Sequence, residues 1–249
     1  MLDPLIIAMV VATFFIGGFV KGTIGLGLPV VVLVILAQVM SVADAIAVFV
    51  IPGVVSNIWQ ATNGQWLKPL LKRLWPYLAA AVVGIVAGVS ILAGTKSEST
   101  VALLGFLLIA YSLYSLLAPR LPEPGRHEVW MAPAASGSAG VLFGMTGIFI
   151  VPGILYLEAL RLPRDQFVQA LGITFITLTS TMTLTLAGFD LLTWEHVLLS
   201  LIALCPVFAG LWTGRKLRHR ISEDGFRRVF FVALVFVGLH MIYRSGVIF

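Results

Sequence analysis

The sequence predicts an all-α polytopic membrane protein built from two inverted repeats. Three observations lead to this fold class: an apolar composition, long uncharged segments, and matches in the same order in both halves of the chain. Of the 249 residues, 59% are hydrophobic and 11% are charged, whereas about 25% are charged in an ordinary soluble domain. The mean hydropathy is +1.04. These values predict a chain embedded in lipid.

Several segments run for about 18 residues or more with few or no charges, which is long enough to cross a hydrocarbon core about 30 Å thick. Each half begins with a segment that glycine and proline interrupt, and three continuous helices follow it. The predicted segments are 5–38, 42–62, 74–93 and 101–118, then 132–160, 165–187, 192–212 and 226–243. The sequence therefore predicts repeats at 1–118 and 132–249, a linker at 119–131, and seven or eight membrane segments by a conventional count.

Matches between the halves predict an internal duplication. The matching pairs are Gly22 and Gly144, Gly25 and Gly147, Pro29 and Pro152, and Gly88 and Gly210, separated by 122 or 123 residues. Each match alone is weak because glycine is common in this chain. Their shared order favours a real repeat, and many transporters are built from such repeats.

The basic residues predict the orientation of the repeats, since Lys and Arg accumulate in cytoplasmic loops. If each interrupted segment is a re-entrant hairpin, 13 of the 16 basic residues share one face of the membrane. If the second interrupted segment crosses once instead, the fifteen flanking basic residues divide six against nine. We therefore predict two hairpins, three crossings per half, a cytoplasmic linker and an inverted second half, with both termini outside.

Composition and motifs exclude several classes of partner. The net charge of +5 follows the predicted topology, so no nucleic-acid partner is expected. Cys205 is the only cysteine, so one chain has neither a disulfide nor a cysteine metal site. The glycine run has the order G-x-x-G-x-G without a preceding strand, which is not a nucleotide-binding fingerprint. We expect no cofactor, no metal and no catalytic residue. The expected partners are membrane lipid and a small anion, and a homo-oligomer is left open.

The stretch GGFVKGTIGLGLP places Lys21 among glycines that interrupt the first segment. Backbone groups that such a break exposes must face protein or water. Helix N-termini carry free N–H donors and a partial positive charge, so the break and Lys21 together favour an anion. We expect the two breaks to meet near the bilayer midplane. Alternatively, Lys21 ends the first helix and reaches the headgroups, and Gly18 and Gly22 pack helices together.

Polar residues on the following helices predict hydrogen-bond donors for the anion. Asn57 and Gln60 share a helix face, and neutral donors avoid the cost of further buried charge. The alternative for the threonines is bonding to their own helix. The predicted substrate-binding residues are Lys21, Gly22, Thr23, Gly25, Gly27, Asn57, Gln60, Gly144, Thr146, Gly147, Gln169, Thr174 and Ser180.

At these residues the chain resembles the sulfite exporter TauE/SafE family of bacterial membrane proteins. The resemblance is carried by GGFVKGTIGLGLPVVV, by ADAIAVFVIPGVVSNIWQ and by GVLFGMTGIFIVPGILYLEALRLPRDQFVQALGITF. It implies a multi-pass protein of the bacterial inner membrane that exports a sulfur-containing anion such as sulfite or an organosulfonate, for example sulfoacetate. The second break has fewer glycines than the family pattern, and Glu158 stands where glutamine is expected, so the resemblance leaves the substrate open.

We interpret the chain as a secondary transporter that works by alternating access. It contains no ATP-binding motif, so a proton or sodium gradient, or the gradient of the substrate, is expected to supply the energy. Two other classes are left open. A non-transporting assembly or sensor protein is one, and an intramembrane hydrolase using Ser136 and His240 is the other, although no nucleophile elbow accompanies Ser136. Substrate-dependent flux in proteoliposomes distinguishes transport from both.

Overall fold

The computed structural model describes residues 3–24, 27–62, 64–95, 97–117, 122–217 and 223–246, and all regular structure in these ranges is helical. Seven helices are long and apolar enough to cross a membrane, namely α1, α3, α4, α5, α8, α9 and α10. The helices are α1 Pro4–Ile24, α2 Leu28–Leu36, α3 Val42–Thr62, α4 Leu67–Gly94, α5 Ser97–Leu117, α6 Glu128–Thr146, α7 Leu155–Ala159, α8 Arg164–Gly188, α9 Trp194–Leu217 and α10 Glu223–Ser245. The chain is therefore a multi-pass membrane protein, as the sequence predicts.

The chain divides into two compact units, and each is described separately. Unit 1 comprises Met1–Pro52, Thr95–Ala118 and Leu191–Phe249, and unit 2 comprises Gly53–Gly94 and Pro119–Asp190. Both units draw on both halves of the sequence. The predicted boundaries at 118 and 132 separate sequence repeats and not compact units. The two units therefore do not test them, and they stay a prediction. Of the basic residues used for the topology, Lys96, Arg120, Arg218 and Arg220 lie outside the described residues.

In unit 1, α1 and α9 pack in parallel through glycines. A Cβ atom built on Gly22 would lie 2.5 Å from the Leu211 carbonyl oxygen and 3.1 Å from the Gly214 Cα. One turn earlier, Gly18 faces the backbone of Val207. Because side chains are absent at these points, the two backbones approach closely, as in small-xxx-small helix pairs. The alternative prediction, that Gly18 and Gly22 pack two helices together, therefore agrees with this contact.

In unit 2, α4 and α6 pack in the same way. A Cβ atom built on Gly144 would lie 2.6 Å from the Ile85 carbonyl oxygen and 2.8 Å from the Gly88 Cα. One turn earlier, Gly140 faces the backbone of Ala81. The contact of Gly144 with Ile85 and Gly88 thus repeats that of Gly22 with Leu211 and Gly214.

The two contacts give a structural correspondence between the repeats. Gly144 corresponds to Gly22 at the predicted separation of 122 residues (144 − 22). On the partner helices, Gly214 corresponds to Gly88 at 126 residues (214 − 88). The sequence-based match of Gly88 with Gly210 is therefore one helical turn out of register, because equally spaced glycines allow both alignments.

Both interrupted segments fold back on themselves. In unit 1, a Cβ atom on Gly17 would lie 2.9 Å from Leu28 Cδ1, and one on Gly27 would lie 3.0 Å from Val20 Cγ1, so α2 returns along α1. In unit 2, the chain after α6 returns to Tyr77 of α4, whose hydroxyl donates to the Gly153 carbonyl at 3.0 Å. Tyr77 lies two turns before Gly84, which packs against Gly137 near the middle of α6.

Helices α5 and α10 of unit 1 run antiparallel. Gly105 packs against the backbone of Gly238, while the rings of Tyr111 and Phe231 meet at 4.9 Å between centroids. Residues later in α5 therefore contact residues earlier in α10. Because these are the last helices of the two repeats, opposite directions are what an inverted duplication requires. The complete inverted topology stays a prediction.

Candidate functional site

The first break separates α1 from α2. Helix α1 ends at Ile24, and α2 begins at Leu28 after Gly27, whose φ of 105° is left-handed and suits glycine. No side chain caps the start of α2, and its first turn contains Pro29. The Val31 N–H bonds to the Gly27 carbonyl at 2.9 Å, so the helical ladder begins there. The earlier N–H groups give this end a partial positive charge. Gly25, a predicted site residue, lies outside the described residues.

Lys21 lies in the last turn of α1, partly buried, beside the last turn of α9. Gly22 brings the two backbones together, since a Cβ atom on Gly22 would lie 3.1 Å from the Arg215 backbone nitrogen. The Arg215 side chain is exposed. The negative ends of both helices favour cations here. This position fits a helix-ending lysine and equally fits an anion site. Sequence reasoning placed Arg215 in a loop and missed this pair, although the Gly210 and Gly214 spacing offered a signal for it.

The second break uses its polar groups locally. Helix α6 ends at Thr146, and Gly147 follows with a left-handed φ of 73°. The Gly147 N–H bonds to the Phe143 carbonyl at 2.7 Å. The Thr146 hydroxyl donates to the Leu142 carbonyl at 2.7 Å and accepts the Ile148 N–H at 3.3 Å. The Thr146 hydroxyl and the Gly147 N–H therefore both donate to backbone carbonyls of α6.

An aromatic cluster fills the second break. Tyr77 stacks on Tyr156 at 5.5 Å between ring centroids, and its edge-to-face partner Phe149 lies at 6.0 Å. Phe149 also meets Phe143 at 6.1 Å. All four rings are buried. Stacked and edge-to-face aromatic pairs stabilise packing, and the buried Tyr156 hydroxyl of this cluster has no hydrogen-bond partner among the described residues. The sequence analysis did not foresee the cluster.

The two glutamines predicted to bind substrate hold the end of α3 and the loop after it against α8 in unit 2. Gln60 donates to the Val168 carbonyl at 3.1 Å. Gln169 donates to the carbonyls of Ala61 at 3.1 Å and Gly64 at 3.2 Å, and its oxygen accepts the Trp66 N–H at 3.0 Å. The Gln169 amide is thus fully used by backbone groups, which gives it a positioning role in this conformation.

Thr174 differs from the other hydroxyl-bearing residues of the predicted site. The hydroxyl of Thr23 donates to the Phe19 carbonyl one turn earlier at 2.8 Å, as expected for threonine in an apolar helix. The Thr174 hydroxyl is fully buried and has no hydrogen-bond partner among the described residues. A buried hydroxyl without a partner is unfavourable, so this atom indicates a ligand or a water. Ser180 lies two turns further along α8 and is partly buried.

Asn57 is buried on α3, and its amide donates to the Gly53 carbonyl at 2.7 Å. Gly22 and Gly144 lie inside α1 and α6, where their small size permits the close helix contacts described above. Binding roles for these three residues stay predictions. The serine of the hydrolase alternative, Ser136, is buried and donates to the Ala132 carbonyl at 2.9 Å.

The sequence analysis also missed a polar cluster at the opposite end of α9. His196 Nε2 lies 3.1 Å from the Asp44 carboxylate, and the Thr193 N–H donates to His196 Nδ1 at 3.1 Å. Since Nδ1 accepts a hydrogen bond from a backbone N–H, the ring carries its proton on Nε2, and this N–H donates a hydrogen bond to Asp44. The signal was an acidic residue in the first turn of α3, but its partner is 152 residues away.

The comparisons with known proteins agree with the resemblance noted in the sequence. A family model described as sulfite exporter TauE/SafE matches residues 10–241. No curated protein and no solved structure matches the chain.

Proposed function

The chain belongs to the sulfite exporter TauE/SafE family, whose members are membrane transporters of sulfite-type anions and not enzymes, and we propose that it is a secondary transporter that exports sulfite or a small organosulfonate such as sulfoacetate. We place it in the bacterial inner membrane. The proposed energy source is a proton or sodium gradient, or the gradient of the substrate itself.

The observation that carries the proposal is the pair of cations at the first break. Lys21, partly buried, and Arg215, exposed, lie in the adjoining last turns of two parallel helices, and α2 starts uncapped at Gly27 soon after Lys21 in the chain. A sulfonate or sulfite group carries negative charge on three oxygens, which can accept from an ammonium, a guanidinium and backbone N–H groups together. Charge-assisted hydrogen bonds of this kind are stronger than neutral ones.

Unit 2 has neutral side chains that are proposed substrate contacts of their own. The buried Thr174 hydroxyl has no hydrogen-bond partner among the described residues and supports a polar ligand in unit 2. Ser180 and Asn57 are retained as proposed contacts. A hydroxyl that donates to the anion adds selectivity without adding another buried charge.

Flux in proteoliposomes tests the function. Purified protein is reconstituted, and uptake or release of sulfite, sulfoacetate, sulfate and acetate is compared in one preparation. We expect sulfite or sulfoacetate to move faster than acetate. Binding of these anions without flux would contradict transport and favour the assembly or sensor alternative.

Substitution of Lys21 tests the proposed site. We expect Lys21→Met to lower anion affinity about tenfold or more, because a charge-assisted hydrogen bond contributes roughly 1.5–3 kcal/mol, while Lys21→Arg keeps most of the affinity. Normal anion affinity and transport rate in Lys21→Met would show that Lys21 does not bind the anion. The alternative, in which Lys21 ends α1 and reaches the lipid headgroups, would then hold.

A further inference from the structure

Helix α3 is the one helix of the described chain that belongs to both compact units. The chain passes between the units at four points, after Pro52, Gly94, Ala118 and Asp190. The last three points fall at or beyond the end of a helix. The first falls inside α3, between Pro52 and Gly53. Among the described residues, the boundary between the two units therefore falls inside a helix only at this point.

The first half of α3 is fastened to α9 within unit 1. The Asp44 carboxylate accepts from His196 Nε2 at 3.1 Å. One turn further on, the Ser200 hydroxyl lies 2.9 Å from the Val48 carbonyl oxygen. Three of these four residues are buried, and Asp44 is partly exposed. This half of the helix is thus held by two side-chain contacts at different levels.

The second half of α3 is fastened to α8 within unit 2. Gln60 bonds to the Val168 carbonyl, and Gln169 bonds to the Ala61 carbonyl. A Cβ atom built on Gly172 would lie 2.5 Å from the Ala61 nitrogen, so the two backbones touch there. Each half of α3 therefore has its own anchor in its own unit.

Between the anchors, the hydrogen-bond ladder of α3 is weak. Pro52 has no N–H, so it cannot bond to the Val48 carbonyl. The Ser200 hydroxyl lies 2.9 Å from that oxygen and 2.7 Å from the His196 carbonyl oxygen of its own helix, and its single proton serves one of them at a time. Gly53 has no side chain to stiffen the backbone. Its carbonyl accepts from Ser56 Oγ at 3.2 Å and from the Asn57 amide at 2.7 Å, and such side-chain bonds bend helices.

We propose that Pro52 and Gly53 form the hinge of the transport cycle, and that the Ser200 hydroxyl turns from the His196 carbonyl to the Val48 carbonyl that the hinge leaves without a helical partner. The two halves of α3 move with their own units, and bending is confined to 49–56. The hinge is independent of which anion is carried. Hinges are a few positions that absorb a change in backbone angles away from the binding site.

Hydrogen–deuterium exchange tests the hinge without any substrate. Amides of 49–56 should exchange faster than those of the flanking anchored parts of α3, and Ser200→Ala should speed that exchange further because the Val48 carbonyl loses its donor. Exchange in 49–56 that is no faster than in the anchored parts would overturn the hinge, and a Ser200→Ala protein with unchanged exchange would overturn the role of Ser200.

Replacement of the proline tests the hinge in transport, and this half of the test rests on the proposed function. We expect Pro52→Ala to slow exchange in 49–56 and to lower the maximal transport rate about tenfold, with sulfite affinity changed less than about twofold. Matched controls are Pro76→Ala in α4 and Pro206→Ala in α9, which restore the same kind of bond inside a helix of a single unit.

A transport rate unchanged in Pro52→Ala, with exchange slowed, would overturn the hinge, and so would equal losses in Pro52→Ala and both controls. If the wild-type protein moves no anion, the proposed function fails while the exchange result still decides the hinge. If Pro52→Ala does not fold, the exchange of wild type and Ser200→Ala decides alone.

Discussion

The two breaks share their packing but differ in chemistry. Gly22 and Gly144 make corresponding contacts with α9 and α4. At the neighbouring positions, Lys21 of unit 1 corresponds to Phe143 of unit 2, at 122 residues (143 − 21). Arg215 likewise corresponds to the buried Val89, at 126 residues (215 − 89). Glycines that bring backbones together occur in both units, while the cations occur only in the first of these two places.

The difference teaches that a repeated scaffold need not repeat its site. The second break is filled by buried aromatic rings, and its Thr146 hydroxyl and Gly147 N–H are bonded locally. The first break has an uncapped helix start after Gly27, and Lys21 and Arg215 lie in the adjoining last turns of α1 and α9. We infer that the first break binds the anion and that the second is a packed aromatic element, in which the Tyr156 hydroxyl is buried without a partner among the described residues.

The largest effect is expected from the shared glycines. Gly144→Ala places a Cβ atom 2.6 Å from the Ile85 carbonyl oxygen, and since backbone cannot move aside, α4 and α6 must separate. We expect a loss of about 3 kcal/mol, at the upper end of overpacking effects. Gly22→Ala should cost a similar amount in unit 1. Thermal unfolding in detergent measures both.

Gly137→Ala is the matched control on the same helix. A Cβ atom there would lie 3.7 Å from the nearest atom, the Ala80 carbonyl oxygen, which is an ordinary contact. Helix propensity then predicts a stability equal to wild type or higher by up to about 1 kcal/mol. A Gly144→Ala protein as stable as Gly137→Ala would show that the close packing of α4 and α6 is not real.

The next effect concerns the charge that distinguishes the first break. We expect Arg215→Met to lower sulfite affinity about tenfold, because one of two cations facing the anion is lost. Lys216→Met is the control: Lys216 lies in the same turn but stacks over the Trp212 ring at 3.7 Å. Isothermal titration in detergent compares the two, and equal losses would mean that Arg215 acts only through overall charge.

A smaller effect is expected from Thr174. Thr174→Val keeps the shape and removes a hydroxyl that has no bond to a described residue, so we expect unchanged or higher stability and about fivefold weaker anion binding, near the value of one neutral hydrogen bond. Thr177→Val removes only a bond to the Ile173 carbonyl in the same helix and should leave binding unchanged. Weaker binding in Thr177→Val alone would reverse this assignment.

Tyr77→Phe is expected to separate stability from binding at the second break. The substitution keeps the stack on Tyr156 and removes the bond to the Gly153 carbonyl, so we expect a loss of about 1 kcal/mol with unchanged sulfite affinity. Unfolding and titration are measured on the same preparation. A marked loss of affinity with little loss of stability would show that the second break also takes part in binding.

The smallest effect concerns an ion pair at the start of α6 in unit 2. Arg73 bonds to Glu128 at 2.8 and 2.9 Å, and this hydrogen bond holds the pKa of Glu128 below its ordinary value of 4.5. A lowered carboxyl pKa stabilises the fold above the ordinary value, and the stabilisation is lost as the pH falls through the lowered pKa. Both side chains are partly exposed, so we expect less than about 1 kcal/mol. Glu128→Gln should remove this acid-dependent loss in a series of unfolding curves.

The sequence allowed the helices and the breaks to be predicted because these depend on local properties. Long uncharged segments predict spanning helices, and the glycine and proline clusters predict breaks within 22–29 and 144–152. Helix α1 ends at Ile24 and α6 at Thr146, inside these two stretches. The family was recognised from the same motifs, and the family match confirms it.

The chemistry of the breaks could not be predicted because it depends on contacts between distant residues. Lys21 and Arg215 lie in adjoining turns because of the register of α9 against α1. The glycine spacing alone allowed two registers that differ by one turn. The bonds of Gln169 to the loop after α3 are equally invisible in the sequence, where a buried glutamine on an apolar helix resembles a ligand-binding residue.

The most direct test of the central claim is to locate a bound sulfonate. Crystals grown with 2-bromoethanesulfonate would show the bromine by anomalous scattering. The account predicts an anomalous peak beside the first break, with sulfonate oxygens about 3 Å from the Lys21 ammonium and the Arg215 guanidinium. A peak against Tyr77 and Phe149 at the second break, with none near Lys21, would contradict it.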